Sequence, residues 1–253
     1  MSTSVSKDAA GSILSPRPMV RVISVYLFYL LGAALALGAV ACGGPNADRE
    51  TKPAPTVTAS PRPEPPQPDL HGFSFPIVGG CLPTSERLIP NAPRTYRNGV
   101  HEGIDFYQSD NCTKITGGTE VVAAKAGRVI RADLEYVDLT AKTVQAYLNN
   151  PNTEHSLDQF RGRQVWIDHG AGVVTRYCHL SGIAPGITTD LAVAVGQLIA
   201  FVGESGTPTS TRKPGTEYHL HFEVRVGDSY LGKGLPAKQV RPLYRELFGV
   251  TGK

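Results

Sequence analysis

Residues 217–226, EYHLHFEVRV, alternate polar and apolar side chains without interruption. A period of two marks a half-buried β-strand, and alternate residues of a strand share a face. Leu220, Phe222 and Val224 therefore point into a core, while His219, His221 and Glu223 point the other way. Short apolar runs recur upstream between Gly-rich turns. GTEVVAAKAGRVIRA (118–132) reads as strand, turn, strand, and RQVWIDHGAGVVTRYCHL (163–180) as a hairpin around Gly170-Ala171-Gly172. AVGQLIAFVGESG (194–206) reads as another pair of short runs. This spacing predicts a mostly β fold, an antiparallel sandwich or open barrel. One segment breaks the pattern. In 133–162, Val144, Tyr147 and Leu148 fall at helical spacing and Asn149-Asn150-Pro151 ends the run, so a short helical insertion is expected between strands.

The first 72 residues have a different character. Arg17 and Arg21 flank an uncharged run, residues 22–41, which ends in small residues before Cys42. A basic flank, an apolar run and a small-residue site read as an export signal. Cys42 directly after Ala41 resembles a bacterial lipobox, which makes 1–41 a lipoprotein signal peptide and Cys42 the lipidated residue. An uncleaved anchor is the rival reading, since about 20 apolar residues can cross a bilayer. Either reading puts the rest of the chain in the cell envelope, on a periplasmic or extracellular membrane face. Met1 and Met19 are the only methionines, and initiation at Met19 would give a signal of more ordinary length. Residues 43–72 hold eight of the twenty prolines and no apolar periodicity, so 42–72 reads as an extended tether. At about 3.1 Å per residue it reaches at most about 90 Å. The folded domain is expected over 73–253. A net charge of +3, with 19% charged residues and no basic block, gives no case for nucleic acid.

Outside the cytoplasm disulfides are allowed. Cys81 and Cys112 bracket a loop-rich segment and are the expected pair. That leaves Cys178. In TRYCHL, Thr175, Tyr177 and His179 are expected on one face and Cys178 on the other, as a buried, inert thiol. Tyr177 reads equally as a substrate contact or a packed strand tyrosine.

Two neighbouring imidazoles on a strand carry little weight alone. NGVHEGIDFYQ (98–108) adds His101 and Asp105 four residues apart, with Gly103 between them to let the chain bend. Two histidines and one aspartate suit Zn²⁺ at neutral pH, and three protein ligands leave a fourth position for water. His101, Asp105 and one of His219 and His221 would be ligands, with the other histidine and His179 beside them. His169, before the Gly-Ala-Gly turn, reads as structural, and Ser205 as turn and groove rim. His71 falls in the tether and His155 in the insertion.

HEGIDF, YCHL and HLHFEV, in that order, resemble the M23 peptidases, the LytM and lysostaphin type of peptidoglycan endopeptidase. The intervening GTEVVAAKAGRV, VWIDHGAGVVTRYCHL and VGQLIAFVGESG fit as well, so the resemblance spans about residues 97–226. It implies a largely antiparallel β structure with an open groove. It implies one Zn²⁺ per domain on His101, Asp105 and His221, with His179 and His219 acting on water and on the tetrahedral intermediate. The roles of those two histidines stay open between them. It implies a zinc metalloendopeptidase that cuts peptide cross-links of peptidoglycan, held at the membrane through Cys42. A non-catalytic regulator of other wall hydrolases is the alternative, and a protein substrate is a third reading. The sequence departs from the family in the insertion and in TPTSTRKPGTE (207–217), where Arg212 and Lys213 could meet substrate carboxylates. The insertion is expected to line or cover the groove.

Overall fold

The computed structural model describes residues 67–250. The expected signal segment, Cys42 and most of the tether lie outside those residues. Ordered contacts begin slightly before the expected boundary. Lys125 Nζ lies 2.6 Å from Asp69 Oδ2, and Leu70 packs against the core.

Among the described residues the first strands are three short ones, β1 (Pro93–Arg94), β2 (Gly99–Val100) and β3 (Ile104–Tyr107). They are followed by β4 (Glu120–Val122) and β5 (Gly127–Ala132). The insertion then forms two helices, α1 (Ala141–Leu148) and α2 (Glu154–Phe160), where one was expected. Pro151 ends the first, and a new N-cap at Thr153, accepting from Ser156 N, starts the second. The remaining elements are β6 (Val165–Asp168), β7 (Val173–Cys178), β8 (Leu180–Ile183), β9 (Ala192–Val193), β10 (Leu198–Val202), β11 (His219–Val226), β12 (Ser229–Tyr230) and α3 (Ala237–Leu247).

All pairings are antiparallel. A seven-stranded sheet runs β12-β11-β7-β6-β5-β9, with β3 also on β11, and a three-stranded sheet runs β4-β10-β8. β6 and β7 form the expected hairpin, with Val165 opposite Tyr177, and Gly170, Ala171 and Gly172 all take positive φ in its turn. β4 and β5 are consecutive strands, yet they join different sheets. Strand β11 carries the design of the domain. Leu220, Phe222 and Val224 are fully buried in the core with Ile104, Phe106 and Tyr177. Each such apolar side chain contributes about 1.5–3 kcal/mol on burial. The opposite face of β11 carries His219, His221 and Glu223, all buried too. Three buried polar side chains in a row require partners, and those partners make the site. Among the described residues, no helix is long and apolar enough to cross a membrane.

Candidate metal centre and catalytic groove

Strand β3 lies against β11 in a register that sets Asp105 opposite His221 and Tyr107 opposite His219. Gly103 permits this approach. The chain bends at Gly103 as expected, without a positive φ. A Cβ there would stand 2.4 Å from Phe222 O. His101 follows β2 and is pinned by its own backbone, which donates to Ala92 O and accepts from Asn91 N, each at 2.8 Å.

The three side chains converge. Asp105 Oδ1 lies 2.9 Å from His101 Nε2 and 2.7 Å from His221 Nδ1, and those two nitrogens are 2.9 Å apart. Their outer atoms decide what the inner ones carry. His101 Nδ1 faces Ile89 O at 3.2 Å, an acceptor, so it holds the proton and leaves Nε2 as a lone pair. His221 Nε2 faces the Glu223 carboxylate at 3.1 Å, so its proton sits there and Nδ1 is the inner lone pair. Three acceptors aimed at one point need a cation between them. Such outer hydrogen bonds are how proteins orient histidine ligands. Among the described residues, His101, Asp105 and His221 are the one group of three that could hold a metal ion.

Electrostatics agree with a cation site. Burial works against the Asp105 charge, but His101 and His221 outweigh it and hold the carboxyl well below its usual range. Arg94 Nη2 adds an ion pair to Asp105 Oδ2 at 2.8 Å. Burial pushes His101 down to about 4, against the pull of Asp105. Burial also disfavours a charge on His221, yet its hydrogen bonds to Asp105 and Glu223 overcome this and raise its pKa. Without a metal, a proton on His221 is thus the smallest cation that satisfies the point. Metal binding would displace it.

Two more histidines stand beside this centre. His219 Nδ1 donates to Glu217 O at 2.6 Å, and its ring stacks on Tyr107 at 4.2 Å. Tyr107 is itself tied to Glu217 by its hydroxyl. His179 Nδ1 donates to Ser205 O at 2.9 Å. The two rings are 4.6 Å apart. Burial lowers the pKa of both, with neighbouring histidines adding to the effect at His179 and Asp105 opposing it at His219. Both are therefore neutral near pH 7, and with Nδ1 as donor each keeps an unprotonated Nε2.

The five expected residues meet, but one of them arrives by another route. β7 pairs with β11 so that Cys178 opposes His221 and Tyr177 opposes Phe222. Tyr177 is therefore a core residue, fully buried, its hydroxyl accepting from Ala124 N at 2.7 Å. It does not reach the groove. The expected assignment of faces on this strand is inverted. His179 enters the site because the chain turns left-handed at φ 61 directly after β7. Cys178 is on the polar side, buried, with its thiol pushed well above the ordinary value by burial and Glu223. Cys81 and Cys112 form a disulfide. His169 is structural, bridging Ala126 O and Thr175 Oγ1. Ser205 is buried and accepts from His179 through its carbonyl.

The groove above the centre encloses about 930 Å³. The insertion supplies an apolar wall of Leu148, Leu157 and Phe160. Arg212 and Lys213 of the 207–217 loop line it, as do Arg87 and Arg94 from the segment before β3.

Compared with known families, residues 99–233, more than half of the chain, match Peptidase family M23. The chain belongs to peptidase family M23. No curated protein matches it. Among solved structures, a zinc-containing peptidase from Vibrio cholerae is similar at 24% identity, covering 65% of this chain and 40% of its own, with a TM-score of 0.41. A putative M23 peptidase from Pseudomonas aeruginosa is similar at 21% identity, covering 72% of this chain and 57% of its own, with a TM-score of 0.36. The catalytic domain of lysostaphin, an antimicrobial peptidase from Staphylococcus simulans, is similar at 20% identity, covering 59% and 85%, with a TM-score of 0.36. This M23 chain thus spans 40% and 57% of the lengths of the first two.

Proposed function

We propose that this M23 protein is a zinc-dependent endopeptidase that hydrolyses peptide cross-links of bacterial peptidoglycan. We further propose that it works in the cell envelope, anchored through a lipid on Cys42. The observation that carries the enzymatic reading is the convergence of His101 Nε2, Asp105 Oδ1 and His221 Nδ1, with two neutral histidines beside them. Zn²⁺ held by those three atoms would polarise a scissile carbonyl and acidify water.

The chain's own residues supply the proton handling. His219 Nε2, 3.9 Å from Asp105 Oδ1, is assigned as the base that takes a proton from the attacking water and returns it to the leaving nitrogen. His179 has committed its Nδ1 hydrogen to Ser205 O. In its neutral form it offers the groove an acceptor, which suits it to hold the second hydrogen of that water. It could steady an oxyanion only after gaining a proton. The insertion's apolar wall and the cations Arg87, Arg212 and Lys213 fit a peptide that carries carboxylates, as cell-wall peptides do.

The test is a digest of purified peptidoglycan read by mass spectrometry, with His179→Ala as the blank. New peptide ends absent from the blank are expected, and they would name the bond. A folded, zinc-loaded protein that releases none would move the weight to a regulator of other wall hydrolases or to a protein substrate.

A further inference from the structure

The end of the insertion is tied to the centre at several points. Arg161, the C-cap of α2, is buried. Its Nε donates to Glu223 Oε1 at 2.6 Å, the same oxygen that accepts from His221 Nε2 at 3.1 Å. Its Nη2 donates to Glu102 Oε2 at 2.9 Å, beside the ligand His101. Its backbone carbonyl accepts from His179 N at 2.8 Å. The next residue, Gly162, packs so closely on Ser205 that a Cβ would stand 2.2 Å from Ser205 O, the atom that takes the His179 ring hydrogen. One dipeptide thus touches the supports of both the His221 and the His179 imidazoles.

We propose that Arg161 is a positioning residue for the metal centre, fixing the Glu223 carboxylate and through it the ring of His221, so that the insertion is a structural part of the site as well as a groove wall. This rests on the reading that His101, Asp105 and His221 hold the metal. The physical ground is geometric. Arg225 and Arg176 hold the other oxygen of Glu223, Oε2, at 3.2 and 3.4 Å. Arg161 is the arginine on Oε1, the oxygen that His221 uses, and its guanidinium fork, which also spans Glu102, sets where that oxygen stands. With Glu223 fixed, the His221 ring can point only one way. Glu223 is 1% exposed, so no water would replace the lost partner freely.

The test compares zinc affinity, by chelator competition, and the visible absorption of the Co²⁺-substituted full-length protein. The proteins are wild type, Arg161→Gln, Arg161→Lys and Arg131→Gln. Arg131 pairs with Asp133 and Asp158 of the same insertion without touching Glu223, so it controls for a loosened insertion. Arg161→Gln should lose about 10–100-fold in zinc affinity, as disturbed outer partners of metal ligands do, with an altered Co²⁺ spectrum. Arg161→Lys keeps the charge, cannot span both glutamates, and should lose about tenfold. Arg131→Gln should bind like wild type. Wild-type affinity in either folded Arg161 variant, or an equal loss in Arg131→Gln, overturns the proposal. A wild-type chain that binds no zinc, or a His221→Ala chain that binds it normally, overturns the metal-site reading itself.

Discussion

Gly103→Ala should disable the centre without removing any ligand. The added Cβ would stand 2.4 Å from Phe222 O, 2.9 Å from Phe222 C and 3.0 Å from His221 Cε1, where ordinary contact begins at 3.4 Å. The chain must open by the difference, about 1.0 Å against Phe222 O, and the obstacle there is backbone. Phe222 is the direct partner of Ile104, and His221 of Asp105. Opening at Gly103 therefore moves Asp105 and His101 away from His221. Metal sites tolerate about 0.2 Å in ligand distance, so a shift several times larger removes a ligand in effect. The strain costs about 1–3 kcal/mol of stability. Zinc affinity should fall by at least about 100-fold, equivalent to about 2.7 kcal/mol. Thermal unfolding of the metal-free protein and chelator competition separate the two effects. A Gly103→Ala protein with wild-type melting and wild-type zinc affinity would refute the reasoning, because it would mean that β3 and β11 do not need this approach.

Other expectations follow from the same contacts. The Cys81–Cys112 disulfide closes a span of 31 residues that contains His101, Asp105 and Arg94. The chain-entropy relation gives about 3.7 kcal/mol for such a loop, so the Cys81→Ala/Cys112→Ala protein should lose about 3–4 kcal/mol in urea unfolding. A loss under about 1 kcal/mol would contradict this. Cys178→Ala should stay active within about twofold and lose about 1–2 kcal/mol, typical of a small core truncation. A folded, zinc-loaded but inactive Cys178→Ala protein would show that the thiol takes part in catalysis. His169→Ala gives up two hydrogen bonds, to Ala126 O and Thr175 Oγ1. It should cost about 1–3 kcal/mol with zinc affinity unchanged, and a fall in zinc affinity would place His169 in the site.

Much of the site is legible because strands report their own faces. The alternation of β11 alone places His219, His221 and Glu223 together, and the structure keeps that face. The same rule misreads β7. Counting by twos from Tyr177 to His179 crosses the left-handed turn at His179, and nothing in TRYCHL announces a non-Gly residue at positive φ. The right histidine was found by a rule that fails at that residue, and Tyr177 was put on the wrong side with it. Glu223 could have been assigned a role, since it lies on the histidine face one strand repeat beyond His221. Arg161 could not, because its contacts with Glu223 and Glu102 join segments far apart in sequence. Nor could Arg94, which lies near Asp105 in sequence but in a segment with no strand or helix periodicity to place its side chain. The C-terminal helix α3 was also missed. Val240, Tyr244 and Leu247 are buried at helical spacing, but Pro242 lies inside the run, and a proline there normally argues against a helix. In the insertion, Pro151 follows the end of the first helix as expected, while Thr153 caps a second helix where a single one is expected from the sequence.

The most direct test of the account is the zinc content of purified His221→Ala and His179→Ala proteins after dialysis, measured beside wild type. The account predicts one zinc per chain in wild type and in His179→Ala, and none in His221→Ala, although both variants should be inactive. Zinc retained by His221→Ala, or lost from a folded His179→Ala, would contradict the division of the site into three ligands and two proton-handling histidines.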